Sequence, residues 1–539
     1  MLRASARASL AAALVVVACS GGGEGSASEA TDSSGETRGG SATTSGATAS
    51  TESATSSESD GTGATAGTTA GTTDATTDTA TTTDGTTDGT TDGTTDGTTD
   101  GTTGDPPKPA LYVSLEGDDQ NPGTYDAPLR TFPAALAAWQ PGWEIRVFGG
   151  VWNERLDVDV DGTADDPIII LPVPGEAPIL DGAGLRGGQP LRLGGRYLRV
   201  GGFEVRGSDN QCVDVPGRDV TIEDLVVHAC VSHGVQLGGQ GLVARRLVIH
   251  DTVLENEGEQ GSWGSALKVK VGGEGIVLER NHVYQNWGEG IAVTRGVDVV
   301  VRQNWSHDNY GVNIYVDNSH DVLVEGNLTT AAGDGPLKAG ARPVGIMLGE
   351  EFYDGWGAQL ADVTIQNNIV AFCGHGIGWW GAEIDGGGLK DVAILHNTIW
   401  GGDDTAISIA YDPPKTMGSV IANNLVQQPD DAVAFIEDRT GLDMHHNFWV
   451  GPPPEEWRNC DGVGDQSGDP GLHTTPGLEV ATYRLAAGSP ARDGAEPLAA
   501  APQDFEGRER VTDESPGADI GAMEYGDPDA PAEFDGWFE

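Results

Sequence analysis

Apolar triplets followed by two polar residues and an Asn recur through the middle of this chain. Ile276-Val-Leu-Glu-Arg-Asn281, Val299-Val-Val-Arg-Gln-Asn304 and Val322-Leu-Val-Glu-Gly-Asn327 place successive Asn residues 23 apart. The pattern continues at Asn368, Asn397, Asn424 and Asn447, and two earlier copies carry Leu225 and Leu247 instead. Between these positions lies a second column of short runs, among them Ala266-Leu-Lys-Val269, Gly290-Ile-Ala-Val293, Asn313-Ile-Tyr-Val316 and Gly345-Ile-Met-Leu348. Alternation along an extended strand sends the second and fourth residues of each run inward and the third outward. A repeat that holds only strand-length runs is one turn of a solenoid. The chain therefore reads as all-β, a single right-handed parallel β-helix of roughly ten or more coils. The Asn column is assigned to the scaffold, because Asn tolerates left-handed backbone in a turn and stacked amides bond one another.

Before the repeats, Pro128-Leu-Arg-Thr-Phe-Pro-Ala-Ala-Leu-Ala-Ala-Trp139 predicts a short helix, with Thr131 as its cap and Pro133 in its first turn. It supplies the N-terminal cap that an open solenoid end needs. The β-helix domain is set at residues 106–527, with 450–527 as an irregular C-terminal cap and 528–539 as an acidic tail.

Composition changes sharply upstream. Residues 1–19 carry Arg3 and Arg7, an apolar run through Val17, and Ala18-Cys19, the form of an export signal too short to remain in a membrane. Residues 20–105 are Ser, Thr, Gly, Ala and Asp and end in Thr-Thr-Asp-Gly units, a segment unable to bury enough surface to fold. Val16-Val-Ala-Cys19 resembles a lipoprotein box. The resemblance implies cleavage before Cys19, lipidation of its thiol, and an exported chain held at the outer membrane or cell surface by that lipid alone; the alternative is ordinary secretion with Cys19 lost.

The formal charge is −52 over 539 residues, and the acidic excess persists in the folded part. It excludes nucleic acid as a partner, and a monomer is expected. Four cysteines follow Cys19. None forms a Cys-x-x-Cys pair, so zinc is not expected at them. Cys212 and Cys230 fall near one repeat apart but not in one column, so no disulfide is expected there.

The entry segment, Leu111-Tyr-Val-Ser-Leu-Glu-Gly-Asp-Asp-Gln-Asn-Pro-Gly-Thr-Tyr125 with the helix after it, resembles that of extracellular pectate-lyase-like β-helix proteins, in particular polysaccharide lyase family 9 and its relatives. Asp504-Phe-Glu-Gly-Arg508 and Pro516-Gly-Ala-Asp-Ile-Gly-Ala-Met-Glu524 resemble the closing segment of the same group. The resemblance implies an extracellular polysaccharide as partner, an anionic one included. It also implies β-elimination with a lysine base and calcium held by aspartates.

Register and repeat length then locate a candidate site. Outward positions of the second column read Lys268, Ala292, Tyr315 in one row and Lys270, Thr294, Asp317 in the next. Long insertions at 251–264, 331–342 and 350–360 emerge beside this column and would wall a cleft. Its expected floor is an open patch at Ala292 and Thr294, between the lysines and Tyr315 and Asp317. Trp263, Trp287 and Glu350 are further candidates for substrate contact. Lys268 sits in Ser265-Ala-Leu-Lys268, which resembles the short strand after an aspartate in family 9. Lys268 or Lys270 is the candidate base, with Glu289 beside it. Asn286-Trp-Gly-Glu-Gly290 offers Glu289 alone where a calcium cluster would stand, so no metal ligands are assigned and Ca2+ stays open as a cofactor. Two functions remain: a uronate polysaccharide lyase or epimerase, and a non-catalytic glycan-binding or structural surface module. His228, His250, Tyr284 and His307 share one column and are assigned to stacking.

Overall fold

A computed structural model describes residues 108–527, apart from 186, 354, 382–386, 410–415, 428–433, 437–438, 452–461, 499 and 511–516, together with Phe534. The leader, Cys19, the Thr-rich linker and nearly all of the acidic tail lie outside the described residues. Each coil lays one strand in each of three parallel sheets. Among the described residues the first sheet stacks 13 strands, from Ala110–Val113 to Leu442–His445. The second stacks 11, from Leu156–Val158 to Ala434–Ile436, and the third 13, from Gly150–Trp152 to Gln466–Gly468. Registers advance coil by coil: Val299 pairs with Val322 in the first sheet, Ile291 with Ile314 in the second and Trp305 with Leu328 in the third. This is the right-handed parallel β-helix expected from the repeat.

The alternation explains the core. Ile291 and Val293, Ile314 and Val316, and Ile346 and Leu348 all point inward and are buried. They meet Ile276, Leu278, Val299 and Val301 from the first sheet in one continuous apolar cluster. The helix Phe132–Ala138 starts at Thr131, whose hydroxyl accepts the Ala134 amide, and its Phe132 ring lies 4.8 Å from that of Trp152. The helix thereby covers apolar side chains that the first coils would leave open.

The Asn column forms an amide ladder. Asn304 Oδ1 accepts from both the backbone and side-chain nitrogens of Asn281, at 2.9 Å each, and Asn304 Nδ2 donates to Asn327 Oδ1 and to Leu278 O. The same pattern runs through Asn368, Asn397, Asn424 and Asn447. One detail differs from expectation. The left-handed residue is the one before each ladder Asn: Arg280 (φ 55°), Gln303 (55°), Gly326 (60°), Asn367 (54°), His396 (51°), Asn423 (59°) and His446 (54°). The corner turns there, and the Asn follows with its amide aimed inward. His228, His250, Tyr284 and His307 stack face to face outside, with centroids 5.1–5.3 Å apart.

Cys212 and Cys230 are disulfide-bonded, with Cα atoms 5.6 Å apart, which corrects the sequence expectation. Cys212 precedes the second-sheet strand Val213–Val215, and Cys230 follows the third-sheet strand Val226–His228 of the next coil. Both face the interior at the corner between those two sheets, so two different columns meet there. Closing a loop of this length stabilises the fold by about 3 kcal/mol. The C-terminal segment also runs back along the outer face of the third sheet. Val480, Tyr483, Phe505 and Met523 pack on Leu328, Ile369 and Ala371, while Arg510 bonds Asn367 and pairs with Glu524.

Candidate functional site

The second sheet carries the expected outward rows in the expected register. Lys268 pairs with Ala292, Ala292 with Tyr315, and Thr294 with Asp317. Lys268 and Asp317 thus stand two coils, about 10 Å, apart. The expectation of an open floor does not hold. Ala292 and Asp317 are 0% exposed, Tyr315 6% and Thr294 8%. The physical reason lies in the 350–360 insertion. It folds across the sheet, bringing Tyr353 Oη to 2.6 Å from Asp317 Oδ2 and the Glu351 amide to 3.1 Å from Asp317 Oδ1. Tyr315 Oη donates to Glu351 Oε1 at 3.1 Å. Arg295 then stacks against Tyr353 and Trp356, 4.1 and 4.6 Å from their ring centres.

Glu350 is also corrected. Alternation turns it inward, and its carboxylate accepts the amides of Leu360 and Gly388, clamping the ends of the loops around it. Its neighbour Glu351 is the one that faces the cluster. Lys270 and Lys268 part company: Lys270 Nζ forms an ion pair with Asp214 at 3.0 Å, away from Glu289. Lys268 stays half-buried by Glu289, whose Oε2 accepts the Ser265 hydroxyl at 2.7 Å. On the facing wall, Lys338 lies 4.3 Å from the centre of the Trp263 ring, and the Ala339 amide donates to Glu259. Two long insertions are thereby joined across the intervening coils. Trp263 and Trp287 sit beside Tyr310, at 5.6 and 6.4 Å.

The result is a tight group of Glu289, Asp317 and Glu351 with Tyr315 and Tyr353, flanked by Lys268 and Lys338. Burial pushes Glu289 up to about 7, against the pull of Lys268 and the Ser265 hydroxyl. Burial and the adjacent Glu351 charge push Asp317 up to about 8. Both tyrosine hydroxyls are raised by burial and by these carboxylates. His233, behind the lysines, is held down at about 3, first by burial and then by Lys268. Glu351, Lys338 and His233 were not singled out in the sequence. Only the Glu350-Glu351 doublet at a strand end, read with strict alternation, signals one of them.

These donors do not fit calcium as they stand. The Glu350 oxygens are taken by backbone amides, and those of Asp317 by Tyr353 and the Glu351 amide. Among the described residues, the one group of three His, Cys, Asp or Glu side chains whose ligand atoms converge lies elsewhere.

Asp317 makes stability pH-dependent with a definite sign. The folded carboxyl titrates at about 8 and an unfolded Asp near 3.8, so between these values the folded state holds the extra proton. Stability therefore falls as pH rises through that window. Asp317→Asn mimics the neutral form. Its melting temperature is expected to exceed wild type most at about pH 9, by less at about pH 5, and to converge with it only below the unfolded value of 3.8. A pH-independent gap in thermal melts would remove the proton from Asp317.

A solenoid of three parallel sheets with long insertions walling one of them defines the scaffold class. Residues 111–339 match the family model described as Pel9A-like, right handed beta helix region, and the fold is a right-handed parallel β-helix. Pectate lyase PEL9 of Emericella nidulans is 34% identical over 79 residues, 14% of this chain and 19% of that protein. The uncharacterized protein YwoF of Bacillus subtilis is 41% identical over 58 residues, 11% of this chain and 12% of its own. The matched segments thus span less than a fifth of either relative. The solved structure of XylC with xylose superposes with a TM-score of 0.53 at 12% identity, covering 77% of this chain and 98% of that one. At that identity the likeness is one of fold.

Proposed function

We propose that this protein acts on an extracellular uronate polysaccharide by β-elimination, at the surface around Lys268, Glu289 and the Tyr353–Asp317 pair. The observation that carries this reading is the pair of carboxyls, Glu289 and Asp317, held near 7 and 8 on successive coils beside a half-buried lysine. Perturbed titratable groups of this kind mark sites that move protons. Lys268 takes the proton next to the sugar carboxylate. The released electron pair forms the ring double bond, and the glycosidic bond to the leaving sugar breaks. Glu289, titrating near neutrality, returns a proton to the leaving oxygen. Asp317, buried beneath, accepts the hydroxyl of the half-exposed Tyr353 at 2.6 Å and so positions that ring beside the sugar carboxylate. An epimerase shares the first step and returns the proton to the opposite face. We place the protein outside the cell, tethered through lipidated Cys19 and the Thr-rich linker.

The cover over Ala292, Thr294 and Asp317 favours the second reading, a non-catalytic glycan-binding or structural module. Incubation of the protein with pectate, alginate and glycosaminoglycans separates the two. The expected result is ultraviolet absorbance from unsaturated uronate ends on at least one polymer, without added calcium. No signal on any polymer, with or without calcium, overturns the lyase.

A further inference from the structure

We propose that His445, His446 and Glu496 form a binding site for a zinc-class divalent transition ion that fastens the last coils of the β-helix to the C-terminal cap. The strand Leu442–His445 ends at His445, and His446 occupies the left-handed corner position (φ 54°). That corner breaks strand alternation, so two consecutive imidazoles face one point. Their Nδ1 atoms lie 3.2 Å apart. Glu496 Oε2 is 2.9 Å from His445 Nδ1 and 3.4 Å from His446 Nδ1. A tetrahedral ion with bonds of 2.0–2.1 Å has ligand atoms about 3.3 Å apart, so the three separations fit its edges. Two Nδ1–H groups this close would oppose each other, whereas lone pairs on all three atoms suit a shared cation.

The surroundings hold the ligands in this pose. Buried Asn423, the corner residue one coil earlier, grips the Glu496 backbone from both sides. Its Oδ1 accepts the Glu496 amide and its Nδ2 donates to the Glu496 carbonyl, each at 2.9 Å. Gly464 leaves room for one ring, since a Cβ there would stand 2.4 Å from His446 Nε2. Outer-shell contacts of this kind orient metal ligands. Two imidazoles and one carboxylate suit Zn2+ and its neighbours, whereas Ca2+ and Mg2+ favour all-oxygen sets. The Glu496 side chain is 47% exposed, which leaves water access to a fourth position. Residues 442–446 belong to the helix and 496 to the cap, so an ion held by both stabilises their contact.

The test uses the purified, untagged chain, stripped with EDTA and titrated calorimetrically with Zn2+, Co2+ and Ca2+. The expected result is one Zn2+ site, visible Co2+ absorption bands, a higher melting temperature with Zn2+, and no response to Ca2+. His446→Ala and Glu496→Gln should each weaken Zn2+ binding at least tenfold. Glu496 is exposed, so Glu496→Gln keeps the fold, checked by far-ultraviolet circular dichroism. Absence of Zn2+ binding by folded protein, or unchanged affinity in both variants, overturns the site. The outcome is independent of any activity at Lys268.

Discussion

Asn304→Leu should destabilise the domain by about 4 kcal/mol, because each buried polar group left unpaired costs about 1–3 kcal/mol. The side chain of Asn304 makes four hydrogen bonds: two accepted from Asn281, one donated to Leu278 O and one donated to Asn327 Oδ1. Leucine fills the volume but leaves an amide, a carboxamide proton and a carbonyl without partners in a 0% exposed column. The chain itself supplies the comparison. Leu247 and Leu225 occupy the same position two and three coils earlier, where the ladder has not begun. Asn281 begins it, accepting the Leu247 amide and donating to the Ala244 carbonyl. A side chain at the end of the ladder makes fewer bonds than one inside it, so Asn281→Leu should cost less than Asn304→Leu. Denaturant unfolding of both variants checks the order. Equal losses would mean that volume, not amide bonding, decides this position.

The same contrast shows what the sequence makes legible. Registers are set by a period-2 alternation inside an almost fixed repeat, so pairs such as Lys268 with Ala292 and Thr294 with Asp317 follow from counting. What counting cannot supply is where an insertion lands. Asp317 faces outward in register yet is fully buried, because Tyr353 and Glu351 come back over it from 34–36 residues downstream. The neutral Asp317 follows from that cover and from Glu351, not from its own strand. Cys212 and Cys230 mislead for a related reason. They meet diagonally across a corner between two sheets, a contact with no counterpart in a column of repeats. The cluster at His445 likewise depends on a corner that disrupts alternation and on a cap residue, Glu496, far along the chain.

Lys268→Ala should lower turnover on the responsive polymer by a factor of about 10²–10⁴, the contribution of a positioned general base. Lys270→Ala, two residues on and in the same outward orientation, should leave turnover within a few-fold of wild type. Lys270 is committed to Asp214 at 3.0 Å and points toward the preceding coils. Its loss should cost only about 0–1 kcal/mol of stability, as for other partly exposed ion pairs. Lys268→Arg separates base from charge, since a guanidinium keeps the positive charge but does not give up its proton. An inactive Lys268→Arg assigns proton abstraction to Lys268, whereas an active one assigns it charge neutralisation alone. The pH profile provides a second readout. Lys268 is the leading influence holding the Glu289 carboxyl down against burial, so its removal moves the Glu289 limb of the profile to higher pH. An unmoved limb would mean that Glu289 is not the acid that limits the profile, and equal losses in Lys268→Ala and Lys270→Ala would remove Lys268 as the base.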